Sequence, residues 1–536
     1  MGVVGSAGGL ILGVLIAKGI AVAIGALLSD VYRVTQIVDE VTMSPALLAL
    51  AFLVGLVTTL VAATVPALNA ARLDPIQALQ KGHFQLLSRR EGTRRLAIAV
   101  GLLVLAVAGV ALARWRAAFY AGYFATTIAV LLVAPLLTLA LAKVFRRPLT
   151  LLRPVEGALA ANSLIQSPRR TSASVIALML SLALAVAFEG MGRSNYSSMV
   201  DWMHSVLNPD LFVLPSQSLD VRSARFPSSM ERELAEVPGV RHVQMLRNGR
   251  TTFRGKPTMV VALEMDSIAQ TVQPKQIAGG DEMFRKAAAG EGLIVSANLA
   301  ELQGLHYGDV LDIPAPYGVI HLPVVGIIVD YSDQQGALLV DRSVFMRYWH
   351  DDAVNMFRVY VNPNDKIFDV RARILSRYAN KRQVFVLTNS ELTSYIRRVL
   401  DQWFRLTTMQ IAVAVLVAIL GIINTLTVSI TDRRRELGVL RAIGSLHTQV
   451  RQSVWLEAVS IGMFGIILGA AFGALNLYYL LQVVRADVTG MRLDYVFPIN
   501  TVAMLVPIIV GAAFVAALWP AETAVRMSLV EALEYE

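Results

Sequence analysis

Long apolar runs alternate with short polar connections along this chain. A helix needs about 20 apolar residues to cross the hydrocarbon of a bilayer. Runs of that kind fall at about 8–28, 45–65, 95–113, 118–142, 173–188, 407–430 and 454–482, and a last one ends near Pro520. The pattern predicts eight membrane-spanning helices. Between about 191 and 404 the period changes. Short apolar runs at 258–263, 292–296, 318–329, 337–340 and 355–361 predict strands, separated by turn signals such as Pro314-Ala-Pro316 and Asn362-Pro-Asn364. Stretches 230–237, 366–378 and 390–404 read as helices, the last expected to run straight into the span at 407. The predicted fold class is a polytopic α-helical membrane protein of about eight transmembrane helices with one α+β domain.

Composition agrees. Of 536 residues, 55% are hydrophobic and 16% charged, too apolar for a soluble protein of this length. With no cysteine there is no disulfide, thiolate metal site or lipidated cysteine. The net charge of +9 raises the question of nucleic acid, but residues 191–404 hold 23 Lys/Arg against 23 Asp/Glu, so the excess lies beside the spans. That is the signature of membrane orientation, and no nucleic-acid partner is expected.

The charged loops set the topology. Loops 69–95 and 143–170 carry six basic residues each and 431–451 carries five, while 29–43 and 483–497 carry one and two. Basic loops stay inside. Both termini are then cytoplasmic and 191–404 extracytoplasmic, in a multi-pass protein of the bacterial inner membrane. Within the basic connection 143–170, the string from Ala158, ALAANSLIQSPRRTSAS, predicts a short interfacial helix anchored by Arg169 and Arg170. Lys18, the one charge in the first span, is expected to face a cavity or a neighbouring subunit.

The chain repeats itself. Pro66, Arg72, Ala78 and Leu79 align with Pro520, Arg526, Ala532 and Leu533 at an offset of 454; Gly9-Leu-Ile-Leu-Gly13 aligns with Gly465-Ile-Ile-Leu-Gly469 at 456. Such a repeat means a duplicated membrane module. Met1 then aligns with about Glu457, so the first copy is expected to lack its leading span, external domain, second span and polar connection. A fragment or a split gene is the preferred reading of that gap.

Chemical motifs are sparse. Gly249 to Thr258 resembles a phosphate loop only loosely: five residues separate Gly249 from Gly255, where a Walker loop needs four, and a proline follows Lys256. His350-Asp351-Asp352 reads as a surface turn, because contiguous side chains diverge. No Gly-x-Ser-x-Gly elbow is present. Asn424, Glu457 and Asn476, in or at spans, are expected to satisfy hydrogen bonds between helices.

The most informative stretch is 431–457, TDRRRELGVLRAIGSLHTQVRQSVWLE, a polar connection between two spans. Its pattern is helical and is broken at Gly444-Ser445. The charge pattern, the glycine break and Glu457 at the next span resemble the coupling segment of FtsX-like permeases, the membrane subunits of MacB/LolC-type ABC transporters. The resemblance implies that Arg433, Arg434, Arg435, Glu436, Leu437, Gly438, Leu440, Arg441, Ala442, Ile443 and Gly444 rest in a groove of an ABC-type ATPase. Two copies of that ATPase would bind ATP and Mg, and this chain would hold no cofactor and catalyse nothing itself. The implied domains are 1–82, the second half of a first permease module; 83–150, two linker spans; 151–190, the interfacial helix and first span of a second module; 191–404, a MacB-like periplasmic domain; and 405–536, an FtsX-like permease domain with coupling segment 431–452. The implied function is export or extraction of a hydrophobic or amphipathic substrate. The alternative is a signal relay that activates an extracytoplasmic hydrolase. The bilayer, a missing permease half, a second permease and an external protein are the other partners it implies.

Overall fold

The computed structural model describes residues 2–32, 44–71, 89–112, 115–216, 225–379, 382–432, 439, 442 and 444–526. They fall into two compact units. One comprises Met1–Val186, Arg405–Gly473 and Ile499–Glu536; the other comprises Ala187–Phe404 and Ala474–Pro498.

The first unit is helical. Its elements are α1 (Gly2–Tyr32), α2 (Pro45–Ala71), α3 (Arg89–Ala111), α4 (Arg116–Leu152), α5 (Pro154–Gln166) and most of α6 (Pro168–Val206), with the apolar parts of α13 (Asn389–Asp432), α14 (His447–Val483) and α15 (Ile499–Arg526). Pro154 and Pro168 each open a helix, where the missing N–H is not needed. Among the described residues six helices are long and apolar enough to cross a membrane, and Pro45–Leu60 and Ile419–Val428 are shorter apolar stretches. The expectation of eight spans is thus matched by six.

Packing between these helices rests on small residues. Apolar side chains gain nothing by leaving lipid, so close van der Waals fit must hold helix to helix. The α3–α4 hairpin closes where a Cβ on Gly109 would lie 2.5 Å from the Ala118 carbonyl and 2.9 Å from Gly122 Cα. At the α4–α5 corner a Cβ on Gly157 would collide with the Leu149 carbonyl. A buried core forms from α13, α14 and α15 around Ile422, Leu426, Val454, Ile461, Phe464 and Ala513.

The helix limits keep the register of the repeat. Adding 454 to 45 gives 499, the first residue of α15, and adding 456 to 13 carries Gly13 in α1 onto Gly469 in α14.

The second unit is built on a mixed sheet. Its strands are β1 (Leu211–Leu214), β2 (Val240–Phe253), β3 (Lys256–Leu263), β4 (Gln276–Ala278), β5 (Leu293–Ser296), β6 (Val310–Ala315), β7 (Gly318–Ile328), β8 (Ala337–Asp341), β9 (Met356–Val361) and β10 (Phe385–Thr388). Their order is β10-β1-β9-β2-β3-β8-β5-β7-β4, with β6 paired to β7. The pairs β3–β8 and β5–β7 are parallel. The continuous apolar runs of β3, β5 and β8 follow from burial on both faces. Met259, Val261 and Leu263 enter one core while Val260 and Ala262 enter another. The short helices α7 (Met230–Ala235), α8 (Met265–Thr271), α9 (Glu282–Ala288), α10 (Ala297–Gln303), α11 (Arg342–Trp349) and α12 (Ile367–Tyr378) cover the faces. Asp341 caps α11 by accepting from the Ser343 N–H at 2.9 Å.

The strands expected at 258–263, 292–296, 318–329, 337–340 and 355–361 are all present within a few residues. The strands β1, β2, β4, β6 and β10 were not expected. The fold class read from the sequence, membrane helices with an α+β domain, is the one observed.

Candidate functional site

The break in the polar connection lies where the sequence places it. Helix α14 begins at His447 with Leu446 as the residue before it. Gln449 Oε1 accepts from the Leu446 N–H at 3.0 Å, the reach-back half of a capping box. Gly444 sits at φ +109°, a conformation favouring glycine, and is exposed. Ala442 is exposed too. Arg433, Arg434, Arg435, Glu436, Leu437, Gly438, Leu440, Arg441 and Ile443 lie outside the described residues.

Just inside α14, the Arg451 guanidinium stands 5.1 Å from the Trp455 ring centre, and Trp455 packs on Phe514 of α15 at 4.7 Å. Glu457 is 4% exposed, a buried carboxyl beside Val454 and Ala458 in the helical core. Buried ionisable groups inside membranes face bundle interiors and carry interactions there.

Further along α14, Gly465, Gly469 and Gly473 form a four-residue repeat that receives α6. A Cβ on Gly465 would strike the Leu178 side chain; on Gly469 it would lie 2.8 Å from Leu182 Cβ; on Gly473, 2.8 Å from Val186 Cβ. Three large side chains of α6 therefore seat into three glycine gaps, the close-approach packing that small-xxx-small stripes allow. The N-terminal copy differs. Gly9 and Gly13 have nothing within 4 Å among the described residues, and they line a groove of about 930 Å³ between α1 and α2 with Gly2, Gly5, Ser6 and Gly55. Lys18 is exposed on α1.

In the second unit, the exit of α6 and the entry of α13 are laced together. Asn389, the first residue of α13, donates from Nδ2 to the carbonyls of Leu207 (2.6 Å) and Pro209 (2.9 Å). Its backbone N–H donates to the Asp210 carbonyl at 3.0 Å. Strands β1 and β10, each next to one of these helices, then pair antiparallel from Leu211↔Thr388 to Leu214↔Phe385. Helix α13 runs unbroken from Asn389 to Asp432, so the helix predicted at 390–404 continues into the apolar stretch after 407, as expected.

A second fastening was not foreseen. The segment after α14 packs on the α+β unit through residues 484–498. Ser194 Oγ and Ser198 Oγ, both buried, accept from the N–H groups of Val496 (3.1 Å) and Asp494 (3.2 Å). Tyr331 donates its hydroxyl to the Arg492 carbonyl at 3.2 Å. Burial, with Asp494 nearby, pushes the Tyr331 hydroxyl up to about 12, so it stays a donor. Glu301 accepts from Arg485 (3.1 Å) and Arg492 (3.0 Å). In the sequence, 483–497 stood out only as a loop with two basic residues, Arg485 and Arg492.

The other sequence candidates serve structure. His350 ends α11 at φ +49° and stacks on Tyr317 at 3.9 Å. Asp351 pairs with Arg247 (2.7 Å) and Arg225 (3.0 Å), and Asp352 accepts from Ser228 Oγ at 2.7 Å. Gly249 and Lys256 lie on the antiparallel strands β2 and β3. Asn424 is exposed, and Asn476 Oδ1 is buried without a partner among the described residues, unlike the interhelical bonding expected.

Asp330 gives a pH test of this unit. Burial raises its carboxyl above the ordinary range, against hydrogen bonds from Ser332. A raised folded value means the folded form resists ionisation. Stability is fully present below about 3.9, the unfolded value, and declines as pH rises through the folded value. Asp330→Asn is expected to flatten that decline in thermal unfolding scans run from pH 4 upward. An unaltered pH profile would show that Asp330 is not its source.

Comparison with known proteins follows this architecture of membrane helices carrying an α+β unit. Residues 409–529, covering α14, α15 and the apolar part of α13, match the family described as FtsX-like permease C-terminal. The chain is 24% identical over 550 residues to an uncharacterized ABC transporter permease protein of Mycobacterium tuberculosis, covering 100% of this chain and 63% of that protein. It is 23% identical over 408 residues to the macrolide export ATP-binding/permease protein MacB of Hyphomonas neptunium, covering 70% of this chain and 60% of that one. Over 356 residues it is 23% identical to the lipoprotein-releasing system transmembrane protein LolC of Neisseria meningitidis, covering 58% and 80%. The resemblance to FtsX-like permeases of the MacB/LolC kind is borne out. The chain spans less than two thirds of the length of its mycobacterial relative.

Proposed function

We propose that this chain is the permease subunit of an FtsX/MacB/LolC-type ABC transporter. The observation that carries the proposal is the family match, which covers Gly444 and the start of α14. In this reading, an ABC-type ATPase that binds ATP and Mg grips residues 431–452 on the cytoplasmic side. Its closing displaces α14 and, through the glycine stripe, α6. Helices α6 and α13 act as one lever because Asn389 and the β1–β10 pair join their ends. The α+β unit, on the outer side, moves with them and displaces a hydrophobic or amphipathic substrate. The 484–498 fastening gives α14 its own grip on that unit.

Affinity purification from native membranes, with mass spectrometry of what accompanies the chain, tests this reading. An ABC-type ATPase is expected. Its absence under mild conditions overturns the proposal, and a co-purifying external hydrolase would point to relay in place of transport. Topology has its own test, because the chain contains no cysteine. Asn364→Cys, at an exposed position, is expected to label with an impermeant maleimide on intact cells, and Ser88→Cys only after lysis. The reverse pattern would invert the orientation.

A further inference from the structure

A cavity of about 150 Å³ lies inside the α+β unit. Met259, Val261, Leu263, Ile268, Phe284 and Leu339 supply most of an apolar wall, and Trp202 of α6 closes part of it. An apolar cavity of this size holds about one six-membered ring.

One wall residue does not fit an apolar void. Arg358 lines the cavity and is 3% exposed. Its Nη2 donates to the Val206 carbonyl (2.8 Å) and to Asn208 Oδ1 (3.3 Å), and lies 3.4 Å from the Tyr360 hydroxyl. All three partners are neutral. Its Nε is buried with no partner among the described residues. Among the described residues no carboxylate forms an ion pair with it. Arg247, also buried, has Asp351 at 2.7 Å. A guanidinium stays charged in proteins, and a buried charge is ordinarily paired. Asp330 lines the same cavity, but among the described residues it makes no ion pair or hydrogen bond with Arg358.

We propose that this cavity is a binding site for a small organic anion, with an apolar body of about one ring or a short aliphatic chain against β3, α8 and α9, and a carboxylate on Arg358. The site sits where α6 delivers Trp202 and Val206 to the sheet, so an occupant touches the end of that helix. The inference does not depend on the permease reading.

Equilibrium dialysis of the full-length protein in lipid nanodiscs tests it, with radiolabelled benzoate and hexanoate beside benzyl alcohol and hexanol. One saturable site per chain is expected for the acids. The alcohols should bind at least about tenfold more weakly, the value of a charge-assisted hydrogen bond. Arg358→Met should remove that preference, and Val261→Phe, which fills the apolar end, should remove binding of both classes. The wild-type comparison stands even where a variant fails to fold. No saturable binding, or equal binding of acid and alcohol to the wild type, overturns the proposal, as does undiminished acid binding by folded Arg358→Met.

Discussion

Gly469→Leu is expected to separate α14 from α6 and to cost on the order of 3 kcal/mol or more. At this position a Cβ alone would lie 2.8 Å from Leu182 Cβ and 3.3 Å from the Met179 carbonyl. The first neighbour is a side-chain stem and the second is backbone, so neither yields by a rotamer change. Three further carbons have no space, and overpacking a filled interface usually costs about 1–3 kcal/mol even for smaller insertions. The loss is one of close packing, because apolar surface freed between helices meets lipid as readily as it met protein and fit alone holds the pair. The pair Leu182→Cys and Gly469→Cys checks the geometry first. It should cross-link with mild oxidant and without background, because the chain has no cysteine. Thermal unfolding in detergent then measures the leucine variant. A native midpoint, or failure of the cysteines to cross-link, would mean that the stripe does not hold α6.

Gly444 is expected to act on function with little effect on assembly. Its φ of +109° lies where a side chain is strained, yet among the described residues nothing stands within 4 Å of a Cβ there. The penalty is therefore conformational, about 1–3 kcal/mol for a non-glycine residue. A side chain relieves that strain by letting the break straighten into α14. Gly444→Trp adds bulk where the ATPase is proposed to sit. Transport by the complex should fall roughly tenfold or more, the equivalent of about 1.4 kcal/mol in the coupled state, while ATP hydrolysis and membrane insertion persist. Glu436→Lys, which reverses one charge of the same segment, should act in the same direction. Substrate release assayed beside ATPase turnover in proteoliposomes separates the two activities. Transport that keeps pace with hydrolysis in both variants would remove the coupling role from this segment.

The membrane part was legible because its signal is local. Apolar length alone marks a span, and the helix limits of α1, α4 and α14 enclose the runs that predicted them. The short strands β3, β5 and β8 were equally plain, since burial on both faces demands an unbroken apolar string. Strand β2 was not. Its sequence, VRHVQMLRNGRTTF, carries Arg247 in the middle, and no local pattern allows for a buried guanidinium. The ion pair with Asp351 and the bond to Asn355 Oδ1 at 2.6 Å come from residues more than a hundred positions away, and they satisfy the charge. Strands β1 and β10, of four residues each, are too short to declare themselves apart from their pairing.

The sequence by itself determined that long apolar helices alternate with polar connections, where the connection before α14 ends, and that one spacing of residues recurs along the chain. Each of these depends on composition or spacing along a single stretch. Only the tertiary structure decided what the small residues are for. Gly9-Leu-Ile-Leu-Gly13 and Gly465-Ile-Ile-Leu-Gly469 share a spacing, yet the second receives Leu178 and Leu182 while the first lines an open groove. Nor is there a local reason for Ser194, Ser198 and Glu301 to fasten residues 484–498, or for Arg358 to stand buried with no carboxylate paired to it among the described residues. Such contacts join residues far apart in the chain, and their energies depend on distance and burial that no window of sequence contains.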